Sequence, residues 1–258
     1  MVARAYYSSG DRFSLFRCQA TPCLVVQNWL MARGKRHMAK EGDFRKILVA
    51  AAAEMGIDMP MDSLALFETY RETLLLWNSK MNLVSLQSEL DLPVRHFIDS
   101  LTLLPHLPAG PGTLLDIGSG AGFPAMPVRV FRSDLRVTLL EASRKKCSFL
   151  KELSRRLCLP DVTVLNSRLE DLLKQPGRPS FDLIVSRATL KLPELVEKGF
   201  PLLRKGGLLA AMKGPDLDEE TAALNSLKTI HFRLVADVSL SLPLTGDRRR
   251  LVLVDKPA

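Results

Sequence analysis

The chain predicts an α/β fold with a mainly parallel sheet, a closing antiparallel hairpin and a small N-terminal helical cap. Three observations carry that prediction. Up to residue 108 the apolar residues recur at helical spacing, and beyond it short β-prone runs alternate with helical stretches. The first of those runs then leads directly into a cluster of glycines. Strands separated by helices require crossover connections, and these make a parallel sheet.

Residues 1–37 stand apart from the rest. Six basic side chains (Arg4, Arg12, Arg17, Arg33, Lys35, Arg36) against one acid, Asp11, give this segment +5 of the chain's net charge of +8. Its apolar patch, CLVVQNWLMA, is interrupted by Gln27 and Asn28, and no clean cleavage site follows, so a secretory signal fits poorly. The segment reads as a disordered or mis-assigned extension, because Met38 opens an ordinary start, MAKEGDFRK. An Arg-rich, acid-poor organellar leader is the alternative.

Residues 38–108 form the expected cap. Asp43 precedes an alanine-rich run to Met55, and Gly56 stops it. Asp62 or Ser63 should cap a second helix, with Leu64, Phe67, Leu74 and Trp77 on one face, ending near Lys80. RHFIDSLTLL opens a third helix at Arg95, which Pro105 ends. Residues 109–258 form the sheet domain, with strands expected at 113–117, 137–141, 162–165, 181–186 and 208–213. HFRLVADVSL and RRLVLVDK supply the terminal hairpin. After the second strand comes a helix whose buried stripe is Cys147, Leu150, Leu153 and Leu157, with Arg144, Lys145, Lys151 and Arg155 projecting elsewhere.

Composition narrows the class. Apolar residues make up 47% of the chain and charged ones 25%, as in an ordinary globular protein. The longest apolar stretches fall far short of a membrane span. Cys18, Cys23, Cys147 and Cys158 form no CxxC pair and no Cys/His zinc spacing, so no metal is expected, and buried free thiols point to the cytoplasm. Net charge outside the leader is modest, which suits a nucleic-acid partner without demanding one.

The stretch TLLDIGSGAGFPAMP carries the functional signal. Gly118 and Gly120 satisfy the first two positions of the dinucleotide fingerprint GxGxxG, but Phe123 occupies the third. The pattern present, D-x-G-x-G-x-G from Asp116 to Gly122, suits S-adenosyl-L-methionine, a cofactor with an amino-acid tail and no pyrophosphate. A tight turn without a ligand is the plain alternative. Glu141 ends the second strand, where a carboxylate can accept both ribose hydroxyls of an adenosine; a solvated strand-end charge is the competing reading. Leu169 and Glu170 follow the third strand, near the place for adenine. Arg187 ends the fourth, where a buried guanidinium requires an anionic or aromatic partner.

These motifs converge. WNSKMNLVS, VRHFIDSL, LLDIGSGAGFPAMP, EASRKK, SRLED, FDLIVSRA and AMKG together make residues 38–258 resemble the bacterial 16S (small-subunit) ribosomal RNA guanine-N7 methyltransferases of the glucose-inhibited division protein B type. The resemblance implies a class I S-adenosylmethionine-dependent methyltransferase with a Rossmann-like sheet. It implies cofactor contacts at Asp116, Gly118, Gly120, Phe123, Glu141, Leu169, Glu170 and Arg187. It places Lys145, Arg168 and Lys213, with Arg187, at the catalytic, RNA-facing mouth. Ala125 departs from the glycine common in the family. Residues 1–37 have no counterpart.

Guanine N7 offers an in-plane lone pair and no proton, so its methylation needs no general base, only positioning and exclusion of water. The lack of a catalytic dyad fits that chemistry, and His96 reads more readily as a hydrogen-bonded helix residue organising Asp99 than as a base. The expected partner is 16S ribosomal RNA or the small subunit, acted on in the cytoplasm by a monomer. A class I methyltransferase acting on another RNA, a protein or a small molecule is the alternative.

Overall fold

The computed structural model describes residues 41–257, apart from 89, 188, 225, 226, 228 and 229. The expectations for residues 1–37 lie outside the described residues.

Five strands, β1 (Gly112–Ile117), β2 (Leu135–Glu141), β3 (Val162–Asn166), β4 (Phe181–Arg187) and β5 (Leu203–Lys213), run parallel, within a few residues of the expected limits except at the start of β5. That strand begins earlier because the backbone around Gly206 and Gly207 is tied to Lys256 by hydrogen bonds of 2.7 and 3.0 Å. β6 (Arg233–Ser241) and β7 (Arg248–Asp255) form the closing hairpin, and β7 lies antiparallel between β5 and β6. The seven-stranded order is β3-β2-β1-β4-β5-β7-β6. The chain therefore leaves β1 toward β2 and later returns beside it as β4, which makes the carboxyl end of β1 a topological switch point.

Successive residues of β1 face opposite sides of the sheet, and the two cores divide accordingly: Leu114 on one side, Leu115 on the other. The first core joins the sheet to α1 (Glu41–Glu54), α2 (Met61–Asn78) and a third helix at Asp91–Ile98 continued by Asp99–Leu101, here called α3. Phe97 of α3 sits at its centre, with ring centroids 4.8 Å from Phe67, 5.0 Å from Tyr70 and 5.3 Å from Phe123. Cap and sheet thus share one apolar core. The remaining helices are α4 (Ala125–Phe131), α5 (Arg144–Arg156), α6 (Leu169–Leu173), α7 (Leu192–Gly199) and α8 (Asp218–Leu224).

Three local expectations need correction. Neither Asp62 nor Ser63 caps α2: Pro60 precedes its first turn, where Asp62 complements the helix dipole and Ser63 is turned inward. α3 starts one turn before Arg95 and ends at Leu101, so Pro105, inside the short 3-10 turn Leu104–His106, does not end it. The Asp91 carboxylate accepts from the Gln87 amide and, at 2.7 Å, from the Ser88 amide, closing the helix start ahead of Pro93. Finally, the α5 stripe is buried as expected, Cys147 included, but Cys158 is exposed, placed just past the last turn at φ 48°.

The start of α3 winds as a π-helix over Asp91–Ile98. The Asp99 amide consequently reaches the Val94 carbonyl, and the Arg95 carbonyl is released from its ordinary α-helical partner. No helix among the described residues is long and apolar enough to cross a membrane.

Candidate active site

The three glycines after β1 have three different physical reasons. Gly118 lies at φ +77°, and a Cβ there would come within 2.5 Å of the Thr189 side chain. Gly122, at φ +93°, faces the Tyr70 hydroxyl, which a Cβ would approach to 2.6 Å. Tyr70 uses that close approach to donate a 2.6 Å hydrogen bond to the Ala121 carbonyl, so α2 pins the loop to the cap. Gly120, at φ +56°, is the one whose Cβ would meet only the Gly118 carbonyl, at 3.8 Å. Its clearance is not explained by protein packing, which is the condition for a ligand to approach the backbone.

Glu141 holds the loop from the end of β2. Its Oε2 accepts from the Gly120 amide at 2.9 Å and its Oε1 from the Ser143 amide at 2.8 Å. Each carboxylate oxygen has a second lone pair, so both remain able to accept from a ribose diol. Ser143 then caps α5. Beneath the loop, both carboxylate oxygens of the fully buried Asp116 lack a hydrogen-bond partner. The Ser119 hydroxyl instead donates to the Asp116 backbone carbonyl, at 3.1 Å. Burial pushes the Asp116 carboxyl up to about 8, against the pull of the nearby Ala125 amide, Ser119 and Arg187.

A cavity of about 500 Å³ opens beside this loop, lined by Gly118, Glu141, Lys146, Arg168, Leu169, Glu170, Arg187 and Thr189, among others. A second cavity of about 500 Å³, lined by Asp91, Arg95, His96, Asp99, Lys213 and Arg249 among others, also has Arg187 in its wall. Arg187 thus stands in the wall of both. Its Nη1 donates to the Arg95 carbonyl at 3.2 Å and to Asp99 Oδ2 at 3.1 Å, while Nη2 lies 3.0 Å from His96 Nδ1. The guanidinium also sits 5.2 Å from the Phe123 ring centroid, a cation–π distance. The carbonyl it uses is the one freed by the π-helical turn of α3.

A guanidinium has only donors, so His96 Nδ1 must accept and the imidazole is neutral. Burial, reinforced by the Arg187 charge, lowers the His96 pKa to about 3. With Nδ1 engaged by Arg187, this ring is no general base. Asp99 is shared by two arginines, with Arg249 Nε 3.3 Å from Oδ1; burial nonetheless raises its pKa against their pull. Arg95 ties Asp91 to Asp247 of the β6–β7 turn, the latter at 2.6 Å, so the hairpin and α3 together wall the second cavity.

The structure brings Gly118, Glu141, Arg168, Leu169, Glu170 and Arg187 around the first cavity. Glu170 there also pairs with Lys198, at 2.6 Å. Asp116 and Phe123 lie buried behind the loop, and Phe123 stacks on Tyr70 with centroids 5.1 Å apart and supports Arg187. Lys213 lines the second cavity, its Nζ bound to the Leu190 carbonyl and, at 3.0 Å, to Glu220. Lys145 is exposed on α5 outside both cavities, while its neighbour Lys146 lines the first. Adjacent residues on a helix point about 100° apart. His96 engages Arg187; no bond to Asp99 ties it there, and the two side chains meet on the same guanidinium.

Sequence reasoning assigned no role to Arg95, Asp247 or Arg249. Period-two alternation along RRR was the available signal: Arg249 turns to the cap while Arg250 pairs with Asp218 and Asp237 on the far side. Among the described residues, no group of three or more His, Cys, Asp or Glu could hold a metal ion.

The open sheet, the glycine loop at its switch point and the acid ending β2 define a class I methyltransferase, whose cofactor is S-adenosyl-L-methionine. Gly120's clearance, the free lone pairs of Glu141 and the unpartnered carboxyl of Asp116, protonated when alone and ionised by a cationic neighbour, fit that adenosine and its cationic methionine end. The chain belongs to the rRNA small subunit methyltransferase G family, which matches residues 63–247. It is 44% identical over 214 residues to ribosomal RNA small subunit methyltransferase G of Syntrophus aciditrophicus, covering 82% of this chain and 89% of the relative. The same-named protein of Pelotomaculum thermopropionicum is 39% identical over 208 residues, covering 80% and 87%. Among solved structures, TrmN from Thermus thermophilus superposes with a TM-score of 0.51 at 18% identity, over 64% of this chain and 53% of that one. Coclaurine N-methyltransferase, bound to N-methylheliamine and SAH, superposes at 0.51 and 12% identity, over 84% and 96%. These two likenesses concern the fold alone.

Proposed function

We propose that the enzyme methylates N7 of a guanine in 16S ribosomal RNA, with the cofactor in the glycine-loop cavity and the target base in the cavity beyond Arg187. The observation that carries this reading is Arg187, which lines both cavities and is held from the protein side by Arg95, His96 and Asp99. Three of its five N–H donors are engaged there, leaving Nε–H and one Nη2–H for ligands. Guanine presents O6, an acceptor, directly beside N7, so a fixed guanidinium can hold the base by O6 with the N7 lone pair unprotonated and free.

When bound, S-adenosyl-L-methionine supplies an electrophilic methyl group on a sulfonium. Glu141 and the Gly118–Gly120 backbone would hold its adenosine and methionine parts, Leu169 and Glu170 its adenine side, and Asp116 its positive charge. The neutral His96 and the doubly paired Asp99 keep Arg187 in place and move no proton. Such a site works by alignment and exclusion of water. Arg168, Lys145 and Lys213 are read as the basic mouth that meets RNA phosphates, and the helical cap as the substrate-side wall. Action on the small subunit in the cytoplasm, by a monomer, completes this reading.

The test uses labelled cofactor with small subunits lacking the modification. The expected product is 7-methylguanine at one site of the RNA. Label found instead in ribosomal protein, in free metabolites or at another guanine position overturns the assignment.

A further inference from the structure

A third cavity, of about 650 Å³, lies against the end of α2, lined by Leu75, Asn78, Ser79 and residues 82–86. Most of its lining belongs to the WNSKMNLVS stretch, of which only Ser85 reaches the second cavity. It differs from its neighbours in chemistry. The second cavity is walled by arginines and aspartates; this one has no charged residue in its lining. Its walls are leucine and valine, and its polar groups are amides and hydroxyls.

Two further facts bear on it. The loop that forms it is built: Asn78 Oδ1 accepts from the Leu83 amide at 2.7 Å and the Val84 amide at 2.9 Å, which holds residues 82–86 as a wall. It also adjoins the base cavity, because Ser85 lines both, and the Ser85 backbone is itself hydrogen-bonded to His96. The Asn82 amide and the Ser85 hydroxyl, on the rim, have no hydrogen-bond partner among the described residues.

An uncharged slot with apolar walls and free amide and hydroxyl groups is wrong for a phosphate and right for a nucleobase, which has apolar faces and a hydrogen-bonding edge. We propose that this groove receives an unpaired nucleobase flanking the target guanine, so that the enzyme recognises its site by two splayed bases held on either side of Ser85. The inference rests on the guanine reading of the second cavity and extends it to sequence context. Asn82, as an amide, offers both a donor and an acceptor to that base.

The experiment is a coupling cycle with the full chain. RNA carrying the target guanine, naked or reconstituted into subunits according to which the enzyme methylates, is made with single abasic nucleotides on each side of the target. KM and kcat are measured for the parent enzyme and for Asn82→Ala, with Ser79→Ala as a second groove variant, and cofactor affinity is measured as a check on folding. One abasic position should raise KM about tenfold for the parent, Asn82→Ala should raise it similarly on intact RNA, and the two together should cost no more than either alone. kcat and cofactor affinity should stay within about twofold. Additive effects, or no abasic position that matters, overturn the proposal. A defect of the groove variants seen only when ribosomal proteins are present assigns the groove to a protein and also overturns it. Absence of 7-methylguanine from the parent reaction would instead count against the guanine reading itself.

Discussion

The two cavities that meet at Arg187 are built in opposite ways. The side proposed for the cofactor is made from the carboxyl ends of adjacent strands, so the sheet itself places Gly118, Glu141 and Arg187 around one space. The far side is made by elements remote in the chain: Arg95 of α3 meets Asp247 of the β6–β7 turn, 152 residues away, and Arg249 meets Asp99. One wall is a consequence of topology, the other of an ion-pair network between cap and hairpin. If the two cavities take cofactor and base as proposed, the two binding events can fail independently, and Arg187 is where they are joined.

The largest expected effect comes from removing that joint. Arg187→Ala should lower kcat/KM by about a thousandfold, roughly 4 kcal/mol of transition-state stabilisation. Arg187→Lys should not restore it, since an ammonium cannot reach the Arg95 carbonyl, Asp99 and His96 in one plane. Steady-state kinetics with saturating cofactor measures both. Activity retained by the lysine variant would mean that only charge matters, and the shared-wall comparison would break.

Asp116 sharpens the cofactor side through pH. A carboxyl held at about 8 in the folded state, above its unfolded value, favours the native protein when protonated. Its contribution is present in full below about pH 4 and is lost as pH rises toward 8, with a slope of at most about 1.4 kcal/mol per pH unit. Asp116→Asn should flatten that slope, making the cofactor-free protein more stable than the parent near pH 8 while weakening cofactor binding. Urea denaturation at several pH values, paired with titration of the cofactor, reads both. A variant less stable at pH 8 would show that the carboxylate is held by the fold and not kept for a cationic ligand. His96 has the opposite sign. Its folded pKa is depressed to about 3, so its contribution is present above about 6.5 and is lost as pH falls toward 3.

The order of legibility follows from the same contrast. Strand ends are readable because a β-prone run, a turn and a helix already define where the carboxyl edge lies; Glu141 and Arg187 needed nothing more. Pairings such as Arg249 with Asp99 have no local signature, since RRR reads equally well as a solvated edge. The glycines were legible as a cluster but not in their division of labour. That Gly122 clears room for Tyr70, and Gly118 for Thr189, depends on side chains brought in from elsewhere in the fold. The π-helical start of α3 was hidden for a related reason: its extra residue per turn is stabilised by the guanidinium that takes up the Arg95 carbonyl.

Gly122 turns that division into a measurement. Gly122→Ala places a methyl 2.6 Å from the Tyr70 hydroxyl at a backbone φ of +93°, and should cost roughly 2–3 kcal/mol of stability. Tyr70→Phe in the same chain removes the clashing oxygen and should recover part of the loss. Thermal unfolding of the single and double variants checks this; equal losses in both would mean that the strain is all in the backbone and the cap contact contributes nothing.

The smallest expected effect lies on the border itself. Lys213 lines the second cavity, yet its Nζ binds the Leu190 carbonyl, and Leu190 lines the first. Its partner Glu220 also accepts from the Leu192 amide at 2.6 Å, so the segment entering α7 stays anchored when the lysine is gone. Lys213→Ala should therefore leave cofactor affinity within about twofold and lower kcat about tenfold, a loss of roughly 1.4 kcal/mol. Equilibrium titration of the cofactor and single-turnover methylation separate the two quantities. If cofactor affinity falls as far as kcat, Lys213 acts through Leu190 on the cofactor wall, and the boundary between the two cavities has to be moved from Arg187 to the β5 edge.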